Sequence, residues 1–202
     1  QRYSDPPGAP GGPLDVVGGL RAPLSGQVTV DEVAVDQLSG PALDRYRAGL
    51  GLLSLRFPLV PSWSAIDNVL AAPPSSAVDA ATTERAAQLL AITGAAHLSG
   101  PVGTVSAEQQ WRILIARALL TSPRLVLAED PTPGLDSRGA AAILDLLTDV
   151  HEQFGFTLLL TVARLVTASY CQRLVRLAGG AVVEDVLIGD DPWTRGRVDR
   201  IG

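Results

Sequence analysis

The sequence predicts an α/β fold in which a mostly parallel sheet carries helices on both faces. Three observations lead there. Leu125 to Ala128 is apolar without polar alternation, as a strand buried on both faces requires. Leu50 to Leu55 and Phe156 to Thr161 read as further apolar strands, while Ser106 to Leu120 and Ser137 to about Glu152 read as helices. Glu129 and Asp130 fall at the carboxyl end of the Leu125 to Ala128 strand, where open α/β sheets place their ligand crevice.

Composition bounds the chain. At 202 residues and 47% apolar content it is one domain's worth, large enough for a sizeable core. A net charge of -5 argues against a nucleic-acid partner or an anionic membrane surface. The single Cys171 excludes an internal disulfide and reads as a small buried apolar residue. No apolar run approaches the roughly 20 residues that span a bilayer, and no signal-peptide pattern is present, so the chain is expected to be soluble by itself. It holds no methionine, so a preceding N-terminal piece is expected. It also holds no lysine; all 16 basic residues are arginine.

In order along the chain, Gln1 to Pro13 is rich in glycine and proline and by composition is a flexible tail or loop. Val28, Val30, Val33 and Val35 alternate and predict an edge strand or hairpin, and Pro41 to Arg47 a short helix. Ser64 to Ala72 and Asp79 to Thr93 read as two helices separated by a Pro-Pro-Ser-Ser linker, and they form a small helical subdomain with Ser106 to Leu120. In that third helix Ser106 and Gln109 fit a capping box, Trp111, Ile115, Ala118 and Leu119 form the buried side, and Pro123 ends it. His97 precedes it in a loop and reads as solvated, with no second His or Cys at metal-ligand spacing. Asp136 is placed to cap the next helix. Arg173 to Ala178, Gly179-Gly180 and Ala181 to Asp185 predict strand, tight turn and strand, with Glu184 and Asp185 solvated. Gly189 to Gly202 reads as a linker or a segment ordered by a partner.

The run from Val105 to Ser137, VSAEQQWRILIARALLTSPRLVLAEDPTPGLDS, resembles the signature, Walker B and D-loop run of ABC-transporter ATPase subunits, in the lipoprotein-export, MacB and FtsE-like branch. The family pattern LSGGEQQRVAIARAL, a short loop and LLLADEPTGNLD is followed at the same spacing. LRFPLVPSWSAIDNV here is similar to the family's SFNLLP-x-LTALENV with the Gln before it, and Gly18-Gly19-Leu20 with Ser25 to Val28 to its LGGL...SGEV. The likeness runs from about Gly18 to Asp185. It implies a P-loop NTPase-like (RecA-like) core with a mostly parallel sheet and an inserted helical subdomain. Within one domain over residues 1–202, it implies an N-terminal core part at 1–62, a helical subdomain at 63–112 ending in the signature, and a C-terminal core part and tail at 113–202.

The same resemblance assigns positions. Counting back places the phosphate loop at about Ser4 to Gly12, including Gly8, with Pro10 at the lysine position and Gly11 and Gly12 at the Ser and Thr positions. Proline lacks the N–H that grips a phosphate oxygen, and no residue of the chain supplies the Lys of G-x-x-x-x-G-K-[ST]. In the signature, which faces the ATP of an opposite subunit, Ser106 and Gln109 are kept while Ala107 and Glu108 replace glycines. Glu108 is favourable in a first helical turn but repels a triphosphate. Leu55 stands at the position of a Gln that touches Mg and the attacking water, and Val162 at that of the γ-phosphate-sensing His. Glu129 stands at the Mg-coordinating Asp and Asp130 at the general-base Glu. That inversion moves each carboxylate by a methylene, and misplacement on that scale costs about a hundredfold in rate. The alternative for this acid pair is a solvated strand end. Asp136 falls in the D-loop, at a subunit interface. Phe57, Val60 and Trp63 fall where the family receives a coupling helix of a membrane subunit; the alternative is that they pack inside.

The expectation is therefore a degenerate, hydrolysis-deficient ATP-binding subunit of an ABC transporter. It would pair with another nucleotide-binding subunit, intact or a second copy, and couple to transmembrane subunits at the cytoplasmic face of the cell membrane. ATP and Mg would be held, if at all, in a composite site with that partner. Two alternatives stand beside it: a scaffold of a membrane assembly that never binds nucleotide, and an active ABC ATPase whose phosphate loop lies in a preceding segment. The branch implies export or mechanical signalling rather than import.

Overall fold

A computed structural model describes residues 12–72, 77–163, 165–179 and 181–188. They fall into two compact units, one over residues 44–161 and the other over residues to 43 and from 162 onward.

The larger unit is built on a parallel sheet of β3 (Leu50–Leu53), β4 (Leu125–Glu129) and β5 (Thr157–Thr161), in that order. Its register sets Leu53 beside Ala128 and Glu129 beside Thr161. As its unbroken apolar run requires, β4 is the central strand, with Val126, Leu127 and Ala128 buried. β3 is shorter than the sequence predicts. It ends at Leu53 rather than Leu55, because Ser54 turns the chain by accepting the Arg56 N–H at 3.1 Å, and Leu55 emerges 47% exposed.

Helix α5 (Ala107–Leu119) lies on this sheet and is buried nearly all round, with Trp111, Ile113, Leu114 and Ile115 each 2% exposed or less. Its approach to β3 is so close that a β-carbon on Gly51 would stand 2.9 Å from the Ala118 carbonyl oxygen, which only glycine permits. α3 (Ala65–Leu70) and α4 (Ala80–Ile92) pack against α5 and against each other. Both start on side-chain caps: Ser64 in a box with Asp67, and Asp79 accepting the Thr82 N–H at 2.8 Å. α6 (Ser137–Phe154) is capped by Asp136 and ends at Gly155 in the left-handed conformation, φ 68°. It buries Ile143, Leu146, Leu147 and Val150 along one stripe. Each such fully buried aliphatic side chain contributes about 1.5–3 kcal/mol.

In the smaller unit, α1 (Pro13–Val17) is followed by an antiparallel hairpin of β1 (Thr29–Val30) and β2 (Val33–Ala34). α2 (Gly40–Ala48) straddles the boundary in sequence. A second hairpin pairs β6 (Arg173–Ala178) with β7 (Ala181–Leu187). Glu184 and Asp185 are not simply solvated as expected. Glu184 sits opposite Arg176 and pairs with it at 3.0 Å, while Asp185, opposite Val175, pairs diagonally with Arg173 at 2.7 Å. Among the described residues no helix is long and apolar enough to cross a membrane.

Candidate functional site

The parallel register brings the ends of β3 and β4 side by side, so the residue after Leu53 meets the last residue of β4. Ser54, only 5% exposed, donates from Oγ to Glu129 Oε2 at 2.5 Å. Arg56 donates from Nε to the same oxygen at 2.8 Å. With the Arg56 N–H on Ser54 Oγ, the three residues form a closed ring of hydrogen bonds. The strand end stays partly solvated, with the Glu129 side chain 37% exposed, while its carboxylate is held by a hydroxyl and a guanidinium. Neither Ser54 nor Arg56 was singled out by the sequence. The available signal was a hydroxyl and a guanidinium within three residues of the end of an apolar run.

Asp130 follows in an uncommon backbone conformation, φ 28°. Its N–H donates to the Thr161 carbonyl at 2.9 Å, and its Oδ1 accepts from Thr132 Oγ1 at 2.6 Å and from the Thr132 N–H at 3.4 Å. A non-glycine residue in that region costs about 1–3 kcal/mol unless its surroundings enforce it. Here the β5 carbonyl on one side and the Thr132 hydroxyl on the other do so. Asp130 is therefore fixed by its neighbours, with one carboxylate oxygen already engaged.

A magnesium ion binds through oxygens in near-octahedral geometry, at one or two carboxylates that face it. At this strand end Glu129 Oε2 already serves two donors, one of them a permanent cation, and Asp130 Oδ1 is turned to Thr132. The residues present do not fit the ion.

At the start of α5 the expected capping box is complete: Gln109 N–H donates to Ser106 Oγ at 3.2 Å and Ser106 N–H to Gln109 Oε1 at 2.9 Å. Ala107 is half-buried behind the exposed Ser106. Glu108 is bound by Arg112, whose Nε and Nη2 donate to its Oε1 at 3.0 and 2.8 Å, while Arg112 Nη1 donates to the Thr93 carbonyl at 2.9 Å. The start of α6 lies beside it. A β-carbon on Gly139 would stand 3.2 Å from Asp136 Oδ1 and 3.7 Å from Glu108 Oε2. The signature and D-loop residues Ser106 to Gln109 and Asp136 are thereby brought together. Val162, directly after β5, is half-buried and carries no polar side-chain atom. Gly12 is the N-cap of α1 and makes no side-chain cap bond. Gly8, Pro10 and Gly11 lie outside the described residues.

Beyond Ser54 the loop presents Leu55, Phe57, Val60 and Trp63 at 47, 40, 37 and 44% exposure, while Leu59 between them is buried. The loop is held from beneath. Asn68, 1% exposed, accepts the Val60 N–H at 2.7 Å and donates to the carbonyls of Val60 and Ser64. Arg117 donates to the carbonyls of Phe57 and Pro58, and burial lowers its pKa. The Val102 and Gly103 N–H groups reach the carbonyls of Trp63 and Pro61 at 2.9 and 2.8 Å. Four apolar side chains thus stand on a backbone fixed from three directions.

The family model described as ABC transporter matches residues 14–133, more than half of the chain. A phosphonates import ATP-binding protein of Rhizobium etli is 33% identical over 85% of this chain; the match spans 65% of that protein, so the chain covers less than two thirds of its length. A lipoprotein-releasing system ATP-binding protein of Geobacter metallireducens is 36% identical over 85% of this chain and 78% of its own. Among solved structures, the ATP-binding cassette MJ0796, dimeric in a post-hydrolysis state with ADP and Pi, superposes with a TM-score of 0.75 at 27% identity, covering 88% of this chain and 80% of that one. The parallel β3-β4-β5 sheet, the capped signature helix and the acid pair at the end of β4 therefore belong to an ATP-binding cassette, and this chain is a member of the ABC transporter family.

Proposed function

We propose that this chain is a hydrolysis-deficient ATP-binding subunit of an ABC transporter, acting with a second nucleotide-binding subunit and with transmembrane subunits. The observation that carries the reading is the Ser54–Glu129–Arg56 ring, which occupies the carboxylate at the metal position with an internal cation. The absence of any lysine, together with apolar Leu55 and Val162 at the positions where the family resemblance places a Gln and a His, points the same way. Residues 1–62, 63–112 and 113–202 then make up one nucleotide-binding domain, with a phosphate loop including Gly8, Pro10, Gly11 and Gly12 that has lost its grip on phosphate.

Pairing is supported by the dimeric state of the similar cassette and by the juxtaposed helix starts at Ser106 and Asp136. Nucleotide and Mg would be held by the partner, with Ser106 reaching the triphosphate from this side. Phe57, Val60 and Trp63, with Leu55, offer the apolar loop on which a membrane subunit seats, which puts the chain at the cytoplasmic face of the cell membrane as a peripheral subunit. The relatives work in import and in lipoprotein release, and both directions fit this arrangement.

The test is the ATPase rate of the complex isolated with its membrane subunits. Ser106→Ala is expected to lower it several-fold while Asp130→Asn in this chain leaves it unchanged. A rate insensitive to Ser106→Ala and abolished by Asp130→Asn would overturn the reading in favour of an active enzyme. Recovery of the chain without any ATPase partner would favour the scaffold.

A further inference from the structure

We infer that Arg56 is a built-in cation that takes the place of a divalent metal ion at the end of β4 and closes the Glu129 carboxylate to it. This rests on Glu129 standing at the metal position of the cassette. Its ground is the geometry of the ring. The Arg56 side chain returns from two residues beyond Ser54 to place Nε 2.8 Å from Glu129 Oε2, and its own N–H anchors the buried Ser54 hydroxyl that donates to the same oxygen. A metal entering on Oε2 must displace both donors together, since each Arg56 contact stabilises the other through Ser54.

The cation is permanent. A guanidinium stays protonated at any pH the fold survives, and its fixed fork loses little freedom on pairing. Arg56 also lies against Phe57, its guanidinium carbon 5.9 Å from the ring centroid, so its stem is steered by the same loop. The pair is about a third exposed, 36% for Arg56 and 37% for Glu129, so salt screens part of the attraction and charge alone does not shut the site. Geometry completes the closure. Mg sheds water reluctantly and needs its carboxylates facing it, whereas the second acid, Asp130, spends Oδ1 on Thr132.

The chain used as its own control separates this from the proposed function. Manganese is titrated into the whole chain without nucleotide, bound ion is read from the loss of the free-ion resonance, and Glu129→Gln defines the Glu129-dependent part. The wild-type chain is expected to show no Glu129-dependent binding up to about 1 mM, whereas Arg56→Gln gains about tenfold or more in affinity and loses it again when combined with Glu129→Gln. Arg56→Met, which keeps the stem against Phe57, is the second variant should the first fail to fold, and Arg56→Lys, which keeps a cation, is expected to remain closed. Glu129-dependent binding by the wild-type chain, or no gain in either neutral variant with the fold intact by circular dichroism, overturns the inference. None of these readings depends on ATP turnover, so failure here leaves the ATPase test of the complex standing, and the reverse.

Discussion

Ser106 and Glu129 sit at the two ends of one supersecondary unit, the first opening α5 and the second closing β4, and they differ in the reach of their hydrogen bonds. The Ser106 side chain and N–H bond to Gln109, three residues away, and its carbonyl accepts the Gln110 N–H, four away. Glu129 bonds to Ser54 and Arg56, 75 and 73 residues away. A cap is written in four consecutive residues, so local chemistry dictates it. A strand end acquires its partners from register, which is a property of two strands and of everything that aligns them.

Mutations can break that contrast at several depths. The largest effect is expected where both ends share a support. Trp111→Ala in the 1% exposed heart of α5 removes the packing beneath cap and strand alike and should cost about 3–5 kcal/mol in denaturant unfolding. Asn68→Ala removes the acceptor of the Val60 N–H, while the Val60 and Ser64 carbonyls keep the Trp63 and Asn68 N–H donors; a loss of about 1–3 kcal/mol is expected, with faster proteolysis of the Phe57 to Trp63 loop than elsewhere. Ser106→Ala removes a cap worth about 1 kcal/mol, and because that cap is local the loss should persist in high salt. Glu129→Gln should cost less, under about 1 kcal/mol, since its ion pair is about a third exposed, and that loss should shrink with added salt.

The same contrast recurs in two acids on the surface. Asp79 is held below the usual carboxylate range chiefly by its hydrogen bonds from Thr82, three residues on. Asp185 is held low chiefly by its hydrogen bond from Arg173 across the hairpin. In both, the folded value is lower than the unfolded one, so each favours the fold above the ordinary carboxylate range and loses that contribution as pH falls through its folded value. Carboxyl titration by NMR should show the Asp185 midpoint rising in about 1 M salt while that of Asp79 stays nearly fixed.

What was legible in the sequence follows that division. The α5 and α6 caps at Ser106 and Asp136, the two-faced burial of Leu125 to Ala128 and both hairpins were readable, because each depends on periodicity or on residues within one turn. The end of β3 was misplaced because Leu55 continues an apolar pattern; its exposure is decided by Ser54, whose partner is on another strand. Thr132 was legible as part of the family pattern but its bond to Asp130 was not, since its hydroxyl matters only once Asp130 takes its left-handed turn. The acids were legible as a pair at a strand end, but not what holds them.

The most direct measurement is a calorimetric titration of the purified chain with ATP in the presence of Mg. With Glu129 engaged by Ser54 and Arg56 and no lysine to meet the phosphates, no saturable Mg-dependent heat is expected from the chain alone. Saturable binding that requires Mg and vanishes in Glu129→Gln would contradict a cassette that leaves the nucleotide to its partner.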